Sequence, residues 1–548
     1  MLRLSSSALA LVACLLISSS AAKPINSSSE VSENSVFVVL LPGEQILPAD
    51  KENCAEIGQI ARRRRQRTTT CTPIMTVLSV LERNLISNFA GTKRLVGVIV
   101  KGQRDFFLNL EDLRDQTPPD VALIAFTPRE SLPNQSPSTA KCFDLIVNYD
   151  DHSNYGKKFR TFEEIEVPKL DDFADELVGL VPKEKICMIH CEENSVSAVC
   201  RTRKRLGLKG PYPENALYMG RKDRVYRLAH QAGIPQPKSI FVNFMTQLSR
   251  DEIVDEIMTE LPTFPLFRKP QMLMGLRGVK KIESKEELAD WVAERLAEDD
   301  EETYIIQEFV TGTEFTISTV LLQDGTWKPL IVKYVAFEWS HSQCLSSGKP
   351  VMSIVEPFDE AENESFPGIY DFTKKVIDTF KPKHPQVFCF QGFQRTRGEN
   401  DYVLNELAYR PAGERVNTLC YQACGGFRRA HINLTSAISG VNQYTALMLA
   451  SLDSNYSPRP NPDWKKRIIT GIWYPKREGV LAEQTAFPKA PEIKGTITGE
   501  WHVDANQKME KARNMGHMIT TMFLESKSTE ERNEDLEWIA KNWTPRVV

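Results

Sequence analysis

The sequence predicts a mixed α/β and α+β protein in three parts: an N-terminal parallel α/β domain, a core of two α+β lobes, and a small C-terminal lobe. Three observations carry this. Short apolar runs alternate with helical stretches over residues 35–207, the pattern of a parallel sheet. Over residues 208–456 the strands flank short glycine-bearing turns instead. A proline-rich linker, Ser457 to Pro462, then sets off a β-rich piece and a last helix over residues 463–548.

Composition narrows the class. The 548 residues allow roughly two to four domains. With 41% hydrophobic and 26% charged residues, disordered, collagenous and low-complexity classes are excluded. The 68 basic and 72 acidic residues nearly cancel, so no global basic field speaks for nucleic acid.

The chain opens on a targeting pattern. Arg3 precedes the apolar run Ala8 to Ile17, and Ser20-Ala21-Ala22 offers small residues for cleavage before Lys23. Residues 1–22 are therefore read as a signal peptide, and the mature protein is expected in the secretory pathway, secreted or lumenal. No later apolar run is long enough for a membrane span. N-x-S/T sequons at Asn26, Asn134, Asn363, Asn433, Asn455 and Asn542 are compatible with a glycoprotein. Ten of the eleven cysteines remain after cleavage, and Cys54 and Cys71 could close a loop. Cys420 and Cys424 lack a second pair at zinc spacing, so buried or paired structural cysteines are expected. Arg62 to Arg65 reads as an exposed loop in preference to a processing site.

In the N-terminal domain the strand candidates are Val36 to Leu41, Leu95 to Val100, Val121 to Phe126, Asp144 to Val147 and Ile186 to Ile189. No G-x-G-x-x-G follows any of them, so no dinucleotide is announced. Cys191-Glu192-Glu193-Asn194 is a polar strand end. Such positions can touch ligand, but capping of the next helix explains them more simply. In the core, Phe264 to Pro270 is a strand ending in Lys269, followed by the glycine-bearing loop Met274 to Val279. Ser284-x-x-Glu287 caps a helix with Leu288, Trp291, Val292 and Leu296 on one face. Tyr304 to Val310 and Glu314 to Leu322 are strands joined by Thr311-Gly312-Thr313, and Ser528-x-x-Glu531 caps the last helix.

A lysine at a strand end beside a glycine loop suits phosphate, since backbone N–H groups approach the oxygens and the ammonium neutralises charge. Four segments in order sharpen this. They are Met219-Gly220-Arg221-Lys222 with Gly233-Ile234-Pro235; Phe264 to Gly278; Gln307 to Glu314; and Gly392-Phe393-Gln394 with Tyr402 to Gly413. Together they resemble the ATP-grasp superfamily over roughly residues 192–440, behind a Rossmann-like domain. Ile472 to Val480 with the closing helix resembles the carboxylate–amine ligase branch, which includes carnosine-synthase-like enzymes and bacterial dipeptide ligases.

The resemblance implies an ATP site and roles within it. Lys222 and Lys269 would contact the phosphates, and Gly275 and Gly278 lie in the loop that closes over ATP. Gln307, Glu308, Phe309 and Val310 form the hinge that reads adenine, and Glu314 takes the ribose position. Arg410 would stabilise phosphate or acyl-phosphate charge, with Lys269 as the second catalytic cation. The Mg²⁺ ligands would be Gln394 and Glu406, an atypical site, because the family places a carboxylate at the first position and an asparagine where Ala408 stands. Asn405 and Glu399 could compensate if the strand register shifts. The function implied is ATP-dependent ligation of a small carboxylate to an amine through an acyl phosphate. The alternative is a secreted pseudoenzyme that binds nucleotide or a partner without turnover. Among the eight histidines, His341 is the candidate for facing an acceptor site, and His431 falls in an expected helix.

Overall fold

The structure is a computed structural model. It describes residues 77–548 apart from 103–110, 130–139, 151–164, 272–277, 299, 412–442, 459–467 and 515. The signal peptide, the expected strand Val36 to Leu41, Arg62 to Arg65, Cys54, Cys71, Gly275, Cys420, Cys424, His431 and the sequons at Asn26, Asn134 and Asn433 lie outside the described residues.

Four strands form the N-terminal layer: β1 (Leu95–Val100), β2 (Val121–Pro128), β3 (Leu145–Tyr149) and β4 (Ile186–His190). Their order is β3-β2-β1-β4 and every pairing is parallel. A parallel sheet is covered on both faces, which is why these runs are apolar without alternation. One face packs on α1 (Val80–Thr92), α2 (Leu170–Leu180) and α3 (Glu193–Leu206), with Val96, Val98 and Val100 against Phe89, Phe173 and Val199. The other face, with Ile99, Leu123 and Ile189, meets a helix from the far end of the core. Every residue of that helix, α9 (Gln443–Leu452), is buried except Ser451, as expected for a helix enclosed on all sides. Gly97 lets the two pack closely where they meet, because a Cβ there would lie 2.7 Å from Leu452 Cδ2 and force that side chain to shift.

The next lobe opens with α4 (Lys222–Gln231) and an antiparallel sheet of β5 (Ser239–Asn243), β6 (Leu266–Pro270), β7 (Lys280–Ile282) and β8 (Thr303–Glu308), in the order β5-β8-β6-β7. Helices α5 (Arg250–Glu260) and α6 (Lys285–Ala297) bury Ile257, Leu288 and Val292 against it. Ser284 caps α6 as its sequence predicts, accepting the Glu287 N–H at 3.2 Å.

The largest layer is an eight-stranded sheet of β9 (Thr313–Leu321), β10 (Trp327–Val335), β11 (Val351–Pro357), β12 (Gln386–Gln394), β13 (Tyr402–Ala408), β14 (Ile468–Pro475), β16 (Thr496–Trp501) and β18 (Met518–Ser526). The order is β13-β12-β9-β10-β11-β14-β18-β16, so three strands from beyond the proline-rich linker extend the core sheet. A separate small sheet holds β15 (Gly479–Glu483), β17 (Lys508–Met509) and β19 (Arg546–Val547). On one face of the large sheet Phe315, Phe388 and Phe390 pack with α8 (Ile369–Phe380) and α10 (Thr529–Asn542); a short helix, α7 (His341–Ser347), follows β10. Residues of opposite parity face the other way. That side carries the polar residues Glu314 and Thr316 on β9 and Gln391 on β12, in cross-strand register.

Cys187, Cys200 and Cys344 are free thiols, and burial pushes that of Cys187 up to about 11. No described helix is long and apolar enough to cross a membrane.

Candidate functional site

Three distant segments bring their polar side chains together. Lys222 opens α4, Lys269 lies near the end of β6, and Asn405 and Glu406 sit on β13. Lys269 Nζ donates to Asn405 Oδ1 at 2.9 Å, and Lys222 Nζ lies 3.4 Å from Glu406 Oε1 and donates to the Gln271 carbonyl. Glu193, Gly220, Lys222, Asn405 and Glu406 line one small pocket here.

Neighbouring strand residues normally point to opposite faces, yet Asn405 and Glu406 both line this pocket. A β-bulge explains it. Gln391 pairs with Glu406 and Gly392 pairs with Leu404, leaving Asn405 as an extra residue in β13. Bulges commonly re-aim side chains in this way. The shift in register by which Asn405 could join the site is therefore present in the strand.

Electrostatics follows from burial. Burial, joined by Lys222, lowers the Lys269 ammonium to about 8 against the pull of Glu406 and Glu314. Burial alone would raise the Glu406 carboxyl, but Lys222, Lys269 and Arg410 hold it below its ordinary value. An anion arriving between Lys222 and Lys269 would restore the charge that burial disfavours.

Glu314 is buried beside this cluster and engaged by His341. The His341 Nδ1 lies 2.8 Å from Glu314 Oε1, and the His341 backbone N–H donates to Oε2 at 2.8 Å. Burial would raise this carboxyl, but His341 and Lys333 keep it low. Sequence reasoning named both Glu314 and His341 without foreseeing their contact. Arg410 is also engaged: its guanidinium pairs with Glu193 at the start of α3. Burial would lower the Arg410 pKa, and Glu193 raises it. The strand end Cys191 to Asn194 thus does more than cap a helix. Glu192 makes no cap bond; it pairs with the buried Lys101 at 3.2 Å, and its neighbour Glu193 reaches Arg410.

The hinge residues lie where β8 leaves its sheet. Gln307 is buried, and its Oε1 has no hydrogen-bond partner among the described residues, an acceptor left open for an amino group. The N–H groups of Glu308 and Phe309 donate to Lys238 and Pro265, whereas that of Val310 makes no hydrogen bond among the described residues. Phe309 stacks under Lys281, 4.8 Å from Nζ to the ring centre. Gly278 has φ +68° and accepts from Arg268 at 3.2 Å; Gly275 lies outside the described residues.

Gln394 does not join Glu406, which corrects the expected metal pair. Gln394 pairs with Tyr402 and Thr313, on the sheet face opposite to Glu314 and Glu406. Its buried amide donates to the Ser365 and Glu399 carbonyls at 3.1 and 3.0 Å, and the exposed Glu399 side chain stays in the turn. The residue facing Glu406 is Gln391. The sequence held this signal: Phe388 and Phe390 alternate onto the core face, which puts Gln394 with them and Gln391 on the other side. Among the described residues no three His, Cys, Asp or Glu side chains gather to hold a metal. A resident Mg²⁺ does not fit this set, since the one carboxylate is neutralised by Lys222 and faces an amide.

Residues 228–337 match the family model described as the D-ala D-ala ligase C-terminus. Among solved structures, L-amino acid ligase from Bacillus licheniformis aligns with TM-score 0.55 at 14% identity, covering 83% of this chain and 100% of its own. N5-carboxyaminoimidazole synthetase from Staphylococcus aureus complexed with ADP aligns at 13% identity over 82% of this chain and 98% of its own; its TM-score of 0.48 is too low to inform the site. No curated protein matches in sequence. At these identities the likeness is one of fold, and the fold is ATP-grasp.

Proposed function

We propose that the protein binds ATP in this cleft and uses it to join a small carboxylate to an amine. The observation that carries the reading is the meeting of Lys222, Asn405 and Glu406 on one pocket, with Lys269 hydrogen-bonded to Asn405 at its edge and a hinge whose Gln307 acceptor is open. Lys222 and Lys269 would neutralise the phosphate oxygens, and the Val310 N–H with Gln307 Oε1 would read the base. A substrate carboxylate oxygen attacks the γ-phosphorus, ADP leaves, and an acyl phosphate results. The amine then attacks the acyl carbon and loses a proton as phosphate departs, forming the amide. No nucleophilic side chain is required, because positioning and charge neutralisation suffice. Mg²⁺ carried in on the nucleotide would supply further neutralisation of phosphate charge.

The test is thermal. ATP at about 100 times its dissociation constant should stabilise the protein by about 2.7 kcal/mol. The shift should vanish in Lys269→Ala, and ADP release across a panel of acids and amines should follow. Absence of any ATP shift in the wild type would end the reading.

Gln391 facing Glu406, and Ala408 beyond it, favour a second reading: a nucleotide binder without turnover. It predicts the same ATP shift with no ADP release for any acid–amine pair. The chain is further proposed to enter the secretory pathway by its N-terminal segment and to be glycosylated there. The acceptors Asn363, Asn455 and Asn542 are exposed. A mature N-terminus at Lys23 and a mass loss on deglycosylation are the outcomes expected.

A further inference from the structure

The face of the large sheet turned away from Glu314 carries a cavity of about 110 Å³. An ordered water takes about 10–15 Å³ of such space, so the cavity accommodates a small organic molecule. Strand ends form one wall: Thr313 opens β9, Gln394 closes β12, and Tyr334 lies near the end of β10. Thr313 and Gln394 are cross-strand partners and point to the side opposite Glu314. Phe337, Phe366 and Leu536 supply apolar surface, Leu536 coming from α10. This cavity and the pocket at Lys222 and Glu406 share no lining residue.

Three charged side chains stand around the cavity. Arg397 comes from the turn between β12 and β13, Glu338 from the turn after β10, and Glu537 from α10. All three are exposed, and their side chains make no hydrogen bond or ion pair among the described residues. Opposite charges on one rim that do not meet leave a span for a molecule carrying both. Such a molecule presents its carboxylate to the guanidinium, which offers paired donors, and its ammonium to a carboxylate. An apolar body between the two charges suits Phe337, Phe366 and Leu536.

The wall is strained at one point. Phe337 and Glu338 both have left-handed backbone, with φ +63° and +57°. Neither is glycine, so the conformation is held against a steric cost. Residues held in this way cluster at ligand clamps and switch regions. The turn leads directly to Ser340, which caps α7, and to His341, whose ring and backbone N–H hold Glu314. Thr313, on the neighbouring strand, immediately precedes Glu314. The cavity wall thus ends one residue from Glu314 and three residues from His341.

We infer that this cavity binds a small zwitterion with an apolar body, an apolar amino acid being the simplest, as an effector and not as a substrate. Its occupant fixes the turn at Phe337 and Glu338, keeps His341 on Glu314, and so tightens nucleotide binding across the sheet. That coupling rests on the ATP reading above, whereas the site itself does not.

The experiment separates the cavity from the nucleotide cleft. Melting temperature and ATP affinity are measured for the wild type, Glu537→Trp and Arg397→Gln. Lys541→Gln, at an exposed position of α10 away from the cavity, is the control. The probes are the proteinogenic L-amino acids, their C-terminal amides and their N-acetyl forms, each with and without ATP. One or more apolar amino acids should raise the wild-type melting temperature, and their amide and N-acetyl forms should raise it less. Glu537→Trp fills the mouth of the cavity and should weaken that binding at least about tenfold while keeping the ATP shift. Arg397→Gln should weaken it about fivefold and bring free acid and amide close together. Saturating probe should raise wild-type ATP affinity about 5- to 10-fold, and ATP should raise probe affinity by the same factor. Lys541→Gln should match the wild type throughout. Probe binding unchanged in both cavity variants would place the amino acid elsewhere, the nucleotide cleft included, and overturn the proposal. So would a panel inert toward the wild type, or amides that bind as well as the free acids. Probe binding that leaves ATP affinity unaltered would overturn the coupling. A wild type without any ATP shift would sink the nucleotide reading, and the ATP-free arm would still decide the cavity.

Discussion

Lys269 is 7% exposed and titrates at about 8, against 10.5 for an ordinary lysine. Between those values the unfolded chain holds more protons than the fold. Stability from this residue therefore rises as pH climbs from about 8 toward 10.5, and the cost of its buried charge is complete below 8. A phosphate against Nζ favours the charged form, so the sign for binding is opposite. ATP affinity should fall roughly tenfold between about pH 7 and pH 9 in calorimetry, with a flatter profile for Lys269→Arg. A flat wild-type profile would mean that this ammonium does not meet the phosphates. Gln391 gives the complementary prediction. Gln391→Glu places a second carboxylate opposite Glu406, and the ATP shift should become roughly tenfold more sensitive to Mg²⁺ in a metal titration. If the Mg²⁺ dependence is unchanged, the facing pair of residues 391 and 406 is not where the metal rides. Lys222 and Lys269 could be singled out in the sequence because each stands in a motif with its own spacing. The pairing of Glu193 with Arg410 was not legible, since nothing near Glu193 in sequence names its partner.

Loop geometry at the element scale decides where these side chains point. Gly312 joins β8, which carries the hinge, to β9, which carries Glu314. It has φ +120°, and a Cβ there would stand 2.2 Å from the Gln394 carbonyl oxygen and 2.8 Å from the Arg395 Cα. Both atoms are backbone and cannot move aside cheaply. Gly312→Ala should therefore destabilise the protein by more than about 2 kcal/mol in denaturant unfolding, from strain and overlap together. A loss below about 0.5 kcal/mol would show that the β8–β9 connection can relax. The bulge at Asn405 works at the same scale. Strand alternation predicts one inward residue of the pair 405 and 406, and the extra residue supplies two. Periodicity in the sequence reports strands well but is blind to a single inserted residue, because pairing with β12 is what defines it.

At the scale of the whole molecule, the N-terminal layer and the core sheet are tied through a buried polar knot. His190 ends β4; its Nε2 lies 3.1 Å from the Tyr409 carbonyl and 2.5 Å from Gln386 Nε2, and its Nδ1 lies 3.3 Å from Arg203. Burial, then Arg203, drives the His190 pKa well below 6.5. The unfolded chain binds a proton below 6.5 and the fold does not, so stability present above that pH is lost as pH falls. Unfolding free energy should decline by up to about 1.4 kcal/mol per pH unit below 6.5 from this residue alone, and His190→Gln should flatten that limb. An identical acid slope in the variant would place the acid sensitivity elsewhere. The C-terminal segment belongs to the same scale. Its sequence sets it apart by a proline-rich linker, yet β14, β16 and β18 finish the core sheet. A linker marks a change of composition, whereas sheet membership is decided by which edge is left unpaired.

By itself the sequence determined the parallel N-terminal sheet, the cap at Ser284 and the ATP-grasp resemblance, and it singled out Lys222 and Lys269 as the lysines to look for in one cleft. Each is written in local periodicity, capping residues or motif spacing, and each survives whatever the rest of the chain does. Tertiary structure alone decided that Arg410 is held by Glu193, that Glu314 is held by His341, and that Gln391 and not Gln394 faces Glu406. These are contacts between segments far apart in the chain. Strand register and the packing of layers set them, and neither is fixed until the segments have met.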